Sequence, residues 1–153
     1  MLILKNDISE ARYWYGIQID NSASSPIPTS IGNTTLRNLL PIQNKIKACL
    51  LLENGTVNYY LNPTDWTKKL DGTASNLDGT DGDVMIEFPS YYIRFETSGS
   101  LNLVKISEYN LTGFTYVPKY YLGAYEASLN RSTLKLASVV NNSTTYRGGN
   151  NNS

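Results

Sequence analysis

Apolar and polar residues alternate along several short runs of this chain, which is the pattern of β-strands with one buried face. The runs are rich in β-branched and aromatic residues, and clusters of Gly, Pro, Asn and Asp separate them. Strands are predicted at residues 12–20, 46–52, 57–61, 83–97, 101–107 and 116–127, and Pro89 interrupts the fourth of them. The sequence therefore predicts a mainly β fold of antiparallel hairpins with one or two short helices.

Turn signals connect neighbouring strands. Asn54-Gly55 favours the positive φ angles of a tight turn, so we expect Gly55 to have a positive φ and residues 46–61 to form a hairpin. Ser98-Gly99-Ser100 predicts the turn of a second hairpin. Residues 21–33 and 62–83 are predicted loops, residues 35–40 a short helix that Pro41 ends, and residues 128–140 fit either a short helix or another strand.

The predicted core consists of apolar residues at inward positions of these strands. They are Ile17, Ile19, Ile46, Leu50, Val57, Val84, Ile86, Phe88, Ile93, Phe95, Leu103, Val104, Ile106, Leu122 and Tyr125. Cys49, the single cysteine, lies in the apolar run 48–52 and is expected to be a small core residue.

Charge and length exclude several classes of partner. The chain has 153 residues, with 13 basic and 13 acidic side chains, so no long-range attraction to nucleic acid or to an anionic membrane is expected. No apolar run approaches the roughly 18 residues of a membrane span, and the apolar start Met1–Leu4 is too short for a signal peptide. We therefore expect a soluble protein that is made in a cytoplasm and does not insert into membranes.

The residue types exclude most catalytic chemistry. Histidine is absent, which removes Ser-His-Asp and Cys-His nucleophiles and His-based zinc sites, and one cysteine allows no intrachain disulfide. Glu87, Glu96, Glu108 and Glu126 are available for a glycosidase pair, but they lie in or directly beside predicted strands, where a carboxylate ordinarily faces solvent. We expect no enzymatic activity and no cofactor.

Three Asp-Gly pairs occur within residues 71–82. Their spacing does not match an EF-hand loop, so turns are the ordinary interpretation and no metal is expected. Asp78, Asp81 and Asp83 are the weak candidates for a cation site.

Tyrosine is the compositional outlier, with 12 residues against 3 Phe and 2 Trp. Tyr and Trp combine a large apolar surface with a polar tip, which suits protein interfaces and carbohydrate contacts, although Tyr is also a good strand residue. The candidate interface residues are Trp14, Tyr59, Tyr60, Trp66, Tyr91, Tyr92, Tyr120 and Tyr121. Adjacent strand residues face opposite ways, so one tyrosine of each pair is expected to point inward and the other outward.

A set of short segments carries a family resemblance through its order and spacing. The segments are Ile31–Asn33, Leu40–Gln43, Gly55–Pro63, Asp78–Gly82, Val84–Pro89, Val117–Lys119, Ala124–Ala127, Lys135–Val139 and Tyr146–Asn152. With them the chain resembles the N-terminal part of tail-fibre-like structural proteins of phages of gut Bacteroides-type bacteria. These are related to the variable proteins of diversity-generating retroelements, which have a C-type-lectin-like domain.

The resemblance implies three segments. Residues 1–115 would form a β-rich docking and scaffold domain, residues 116–140 the opening strand and following part of an incomplete lectin-like module, and residues 141–153 a polar flexible tail. In the resembling proteins the lectin-like module continues well beyond the position of Asn152, and the variable binding face lies in that further part.

The resemblance also implies a function. The protein would be a structural component of a phage tail, located in the virion, that docks to other tail proteins and supports attachment to a host receptor or glycan through a distal module. A homo-oligomer is expected, with a trimer favoured by analogy with tail fibres. The alternatives are a secreted bacterial surface adhesin and a polysaccharide-degrading tail-spike enzyme.

Overall fold

The structure is a computed structural model that describes residues 10–140 and 146–147, the last two by backbone only. The chain folds into two compact units, each formed by two separate stretches. Of the described residues, unit 1 contains 10–45 and 89–119, and unit 2 contains 46–88, 120–140 and 146–147. The module boundaries at 115/116 and 140/141, which the family resemblance implies, stay a prediction. Most of the predicted tail, 141–153, lies outside the described residues.

The fold is mainly antiparallel β, as predicted, with three sheets and one short helix among the described residues. The strands are β1 (Trp14–Asp20), β2 (Thr29–Gly32), β3 (Lys47–Leu51), β4 (Val57–Asn62), β5 (Asp65–Lys69), β6 (Asp83–Phe88), β7 (Tyr91–Ser98), β8 (Leu101–Ser107), β9 (Thr115–Val117), β10 (Tyr120–Gly123), β11 (Ser128–Asn130), β12 (Lys135–Ala137) and β13 (Tyr146–Arg147). The helix is α1 (Thr34–Leu39), and short 3₁₀ turns cover Ala11–Tyr13 and Gln43–Lys45. No helix in the described part of the chain has the length and apolar character needed to cross a membrane.

Unit 1 is built on a five-stranded sheet, called sheet 1, with the order β2-β1-β8-β7-β9. Asn33 begins α1 by accepting a hydrogen bond from the Leu36 amide (3.0 Å), and Leu40 ends it in a left-handed conformation with φ of 46°, one residue before Pro41. The buried apolar residues of this unit are Tyr15, Ile42 and Leu111. The Tyr15 hydroxyl donates to Gln43 Oε1 (2.6 Å), so residues 42–43 cover one end of the apolar face of sheet 1.

Unit 2 contains a five-stranded sheet, called sheet 2, with the order β10-β6-β3-β4-β5, and a three-stranded sheet with the order β12-β11-β13. Its core cluster is Leu50, Leu61 and Val84, with the half-buried Tyr59, Trp66, Leu77 and Tyr125 packed around it. Ser138, which is buried, donates from Oγ to Val84 O (2.8 Å) and accepts from the Tyr125 amide (3.0 Å). These bonds hold β6 and the segments around Tyr125 and Ser138 together inside one unit.

Both predicted hairpins are confirmed, as is the positive φ of Gly55 (80°). The predicted strand at 116–127 is instead two strands, β9 and β10, separated by Pro118 and Lys119, and the undecided segment 128–140 is the β11–β12 hairpin. Strands β2 and β5 lie in the predicted loops 21–33 and 62–83. These two strands are edge strands, which are often short and polar in natural sheets.

The prediction of a core position is wrong for three residues, because Ile17 is 37% exposed, Leu122 is 52% exposed and Phe95 is 71% exposed. Leu50 and Val84 are fully buried, as predicted, and Cys49 is fully buried as well. Phe88 is half-buried and stacks on Tyr120 with the ring centroids 4.8 Å apart. Alternation identifies the face of a strand on which apolar residues lie, but it does not reveal whether another layer covers that face.

Candidate functional site

The predicted interface aromatics are all half-buried and belong to separate surfaces. Trp14, Tyr91 and Tyr92 lie on sheet 1, whereas Tyr59, Tyr60, Trp66, Tyr120 and Tyr121 lie on sheet 2. The adjacent Tyr59 and Tyr60 lie on opposite faces of sheet 2, since Tyr59 packs on the core cluster and Tyr60 reaches Glu87. Their role in an interface stays a prediction.

Other aromatics make ring contacts that the sequence does not reveal. Trp66 meets Tyr125 edge to face with 6.3 Å between the ring centroids, and Tyr92 lies 5.3 Å from the exposed Tyr116. Tyr116 and Tyr109 are more exposed than any of the predicted aromatics, and neither was selected from the sequence.

A polar cluster occupies one face of sheet 2. The hydroxyl of Tyr121 donates to Glu87 Oε2 (2.8 Å), and that of Tyr60 is shared between both Glu87 carboxylate oxygens (3.2 Å each). Lys47 is the cross-strand neighbour of Glu87, and its ammonium lies 5.1 Å from the centroid of the Tyr60 ring. Glu87 is only 9% exposed, so the expectation that this carboxylate faces solvent is wrong. A buried carboxylate requires such hydrogen bonds, which makes the cluster a structural feature of the sheet.

The Asp-Gly loop does not gather its carboxylates. Asp78 Oδ1 accepts the Thr80 amide (2.9 Å), Asp81 Oδ2 accepts the Tyr59 hydroxyl (2.7 Å), and Asp83 Oδ1 accepts the Ser138 amide (2.9 Å). Within the described residues no group of three or more potential metal-ligating side chains comes together. Each aspartate therefore serves a turn or strand end of its own.

Hydrogen bonding and burial shift the pKa values of the loop groups in opposite directions. The side-chain hydrogen bond from Thr80 is the main cause that lowers the pKa of Asp78. Burial is the main cause that raises the pKa of Tyr59, and its bond to Asp81 acts in the same direction because a negative neighbour disfavours tyrosinate.

A cleft on unit 1 combines aromatic and charged side chains, and we call it the Trp14 cleft. It encloses about 570 Å³ and is lined by Glu10, Trp14, Arg94, Glu96, Thr97, Ser98, Lys105 and Phe114. Its centre is a row of charges, in which Glu96 pairs with Arg94 through Oε1 and with Lys105 through Oε2 (2.5 Å). The Lys105 ammonium also lies 4.6 Å from the centroid of the Trp14 ring, a cation–π distance.

The strand register explains why these residues meet. Arg94 is directly opposite Lys105, and Lys105 is opposite Gly16, so all three positions lie in one row across β7, β8 and β1. Glu96 is two residues from Arg94 and therefore on the same face.

Glycine also positions the Trp14 ring. Gly32, with φ of +82°, lies against it so closely that a Cβ atom at this position would come within 2.6 Å of the ring carbons. The benzene part of the Trp14 indole therefore lies in the space that a side chain at position 32 would occupy.

The turn before β9 anchors the other side of the cleft. Arg94 Nη1 donates to the Thr112 carbonyl (2.9 Å), and the Glu10 carboxylate accepts from the Thr112 amide (3.3 Å) and hydroxyl (3.1 Å). Phe114 follows in the same turn. The turn is closed by the hydrogen bond that the Phe114 amide donates to the Leu111 carbonyl oxygen (3.1 Å). These contacts hold the charged side chains in one arrangement before any ligand arrives.

Of the cleft residues, only Trp14 was selected from the sequence as an interface candidate. Arg94, Glu96 and Lys105 carry a signal in retrospect, since they alternate with the apolar Ile93, Phe95 and Val104 and so form the polar face of the same strands. Glu10 and Phe114 carry no such signal in the sequence, because only the packing of loops brings them to the cleft.

No protein-family model, curated protein or solved structure matches this chain.

Proposed function

We propose that the protein is a structural component of a phage tail, of the tail-fibre or tail-spike type, that docks to the particle and supports attachment to the host surface. The segments from Ile31–Asn33 to Tyr146–Asn152 and their resemblance to tail-fibre-like proteins support this role. In the proposal the stretch from residue 116 onward is the opening of a C-type-lectin-like module, and the protein resides in the virion tail.

The observation that carries the proposal is an uncovered apolar row on sheet 1. Phe95, Val104 and Ile17 are cross-strand neighbours on β7, β8 and β1, and they lie on the same face as the buried Tyr15. The face is covered around Tyr15, but Phe95 is 71% exposed and Ile17 is 37% exposed. Assembly proteins require large complementary surfaces and no special chemistry, and an apolar row that its own chain leaves partly exposed can contribute to such a surface.

A second copy of the chain is the occupant that we propose for this row. Apolar residues that complete a core only on association are typical of obligate oligomers, whose interfaces resemble a domain core cut in half. Tail fibres are commonly trimeric, so a trimer is the expected state, and this part of the proposal rests on analogy.

The test measures the mass of the native protein by light scattering and native mass spectrometry. The wild-type protein should be a trimer. Phe95→Ser should dissociate it, because the substitution places a polar side chain in the proposed interface. The chain itself should stay folded, since Phe95 contributes little to the core of its own chain. Leu70→Ser, which changes an exposed apolar residue of unit 2, is the matched control and should leave the mass unchanged. A wild-type monomer at high concentration would contradict self-association. Absence of the chain from purified particles by mass spectrometry would contradict the tail assignment.

A further inference from the structure

We propose that the Trp14 cleft binds a neutral oligosaccharide, so that unit 1 contacts a host glycan directly. This inference rests on the proposed attachment function, and it places a ligand site on this chain itself in addition to any distal module.

The balance of charges selects the class of ligand. Two basic side chains, Arg94 and Lys105, and two acidic ones, Glu10 and Glu96, line the cleft, so its charges cancel. An anionic or cationic ligand would be attracted by one pair and opposed by the other. Sugar hydroxyls both donate and accept, so they can bond to the ammonium and guanidinium groups and to the carboxylates at the same time. The cleft therefore favours a neutral ligand with many hydroxyl groups.

The side chains are held in place before binding. Glu96 is fixed by Arg94 on one oxygen and by Lys105 on the other, and Arg94 is fixed again by the Thr112 carbonyl. Only 14% of the Lys105 side chain and 24% of that of Glu96 are exposed, so much of their desolvation is complete in the free protein. A ligand then orders few side chains on binding, which removes a large part of the usual entropic cost.

The shape and lining of the cleft also fit a saccharide. Its volume of about 570 Å³ lies within the range of small-ligand sites, roughly 300–1,000 Å³. The lining is mostly polar and includes Thr97 and Ser98, whereas sites for apolar ligands are mostly hydrophobic. The half-buried Phe114 supplies an apolar wall, and the C–H face of a sugar ring packs well against such a ring.

A second cleft, on unit 2, lacks this organisation. It is lined by residues of the β3–β4 turn, the Asp-Gly loop and the β11–β12 hairpin, and its ion pair joins Glu53 to Lys135 (2.8 Å). These two side chains are 75% and 61% exposed, so solvent screens the pair and its attraction is weak. The Trp14 cleft is thus the better prepared of the two.

The experiment is an NMR titration of the ¹⁵N-labelled full chain. The signals followed are the indole N–H of Trp14, assigned with Trp66→Phe, and the Nε–H of Arg94. The probes are maltotriose, mannotriose and triacetylchitotriose as neutral trisaccharides, and trigalacturonate as an acidic one. We expect at least one neutral trisaccharide to shift both signals saturably, with an affinity that is the same at low and high salt.

Variants assign the binding to the cleft. Glu96→Gln should weaken it by about tenfold or more, the amount that a hydrogen bond to a charged group contributes. Lys105→Met, which removes the ammonium but keeps an unbranched side chain, should weaken it similarly. Asp65→Asn alters the exposed ion pair with Lys68 on unit 2 and is the matched control, with unchanged affinity expected.

Three outcomes would overturn the inference: no neutral trisaccharide shifts the two signals, only trigalacturonate binds and does so in a salt-dependent way, or Glu96→Gln binds as tightly as the wild-type protein. The oligomeric mass of the same samples is measured alongside. A trimer without saccharide binding would refute the cleft and leave the assembly proposal standing, whereas a monomer that binds saccharide would do the reverse.

Discussion

Replacing Gly16 by alanine should damage sheet 1 severely. Gly16 lies in β1 opposite Lys105 of β8, at the centre of the sheet. A Cβ atom at this position would lie 2.0 Å from the Val104 carbonyl oxygen and 3.0 Å from the Lys105 Cα atom. Both neighbours are backbone atoms, so no side-chain rotation can relieve the overlap.

The magnitude follows from the movement that is needed. An ordinary carbon–oxygen contact is about 3.3 Å, so β1 and β8 must separate locally by roughly 1 Å. That movement stretches the ladder hydrogen bonds beside Gly16 from about 2.9 Å to beyond bonding distance. If two such bonds are lost, the cost is about 2–6 kcal/mol, and the lower unfolded-state entropy of alanine offsets only about 0.4–1 kcal/mol. We expect a net loss of roughly 1–6 kcal/mol from a total stability of about 5–15 kcal/mol.

The assay is equilibrium unfolding in urea, followed by circular dichroism and by tryptophan fluorescence. Gly55→Ala is the control, because Gly55 has φ of +80° but no atom within 4 Å of the added Cβ. Its expected cost is about 1 kcal/mol, which is the conformational penalty alone. If Gly16→Ala is no more destabilising than Gly55→Ala, the close approach of β1 and β8 is not as described.

Three further predictions concern other parts of the chain. Leu50→Ala should lower the free energy of unfolding by about 2–5 kcal/mol, because Leu50 is fully buried against Leu61 and a cavity would remain; a loss below about 1 kcal/mol in urea unfolding would argue against that packing. Leu134→Gly should raise stability by up to about 1 kcal/mol, because Leu134 has φ of 59° while its side chain is 76% exposed; a lower thermal midpoint would contradict this. Burial raises the pKa of Tyr59 above its ordinary value of 10.0, so the unfolded chain loses the phenolic proton at a lower pH than the folded chain. The stability that the protonated Tyr59 contributes is therefore fully present below pH 10 and is lost as the pH rises through the folded pKa. Tyr59→Phe should therefore make the unfolding free energy less steep in this alkaline range, and an unchanged slope would refute the assignment.

Local structure was predictable where a single segment carries its own signal. The hairpin around Gly55 and the one around Gly99 follow from turn residues between alternating runs, because both the turn and the pairing depend on nearby residues. Strands β2 and β5 were missed because they lie at sheet edges and are defined by pairing with a neighbour rather than by their own pattern.

The Trp14 cleft shows the same limit for a site. Aromatic composition alone was enough to select Trp14, and alternation places Arg94 and Glu96 on one face of their strand. Their meeting with Lys105 depends on the register of β7, β8 and β1, which no short segment specifies. Glu10 and Phe114 join only through the turn at Thr112.

By itself, the sequence determined the β class, the hairpins around Gly55 and Gly99 and the alternation within the predicted strands, because backbone propensity, turn chemistry and the two-residue period are local properties. Only the tertiary structure decided that Tyr15 is buried while Phe95, on the same face of the same sheet, stays exposed. It likewise decided that Glu87 is buried between two tyrosine hydroxyls instead of facing solvent. Burial depends on which segments cover a face, and that is a property of contacts between residues far apart in the chain.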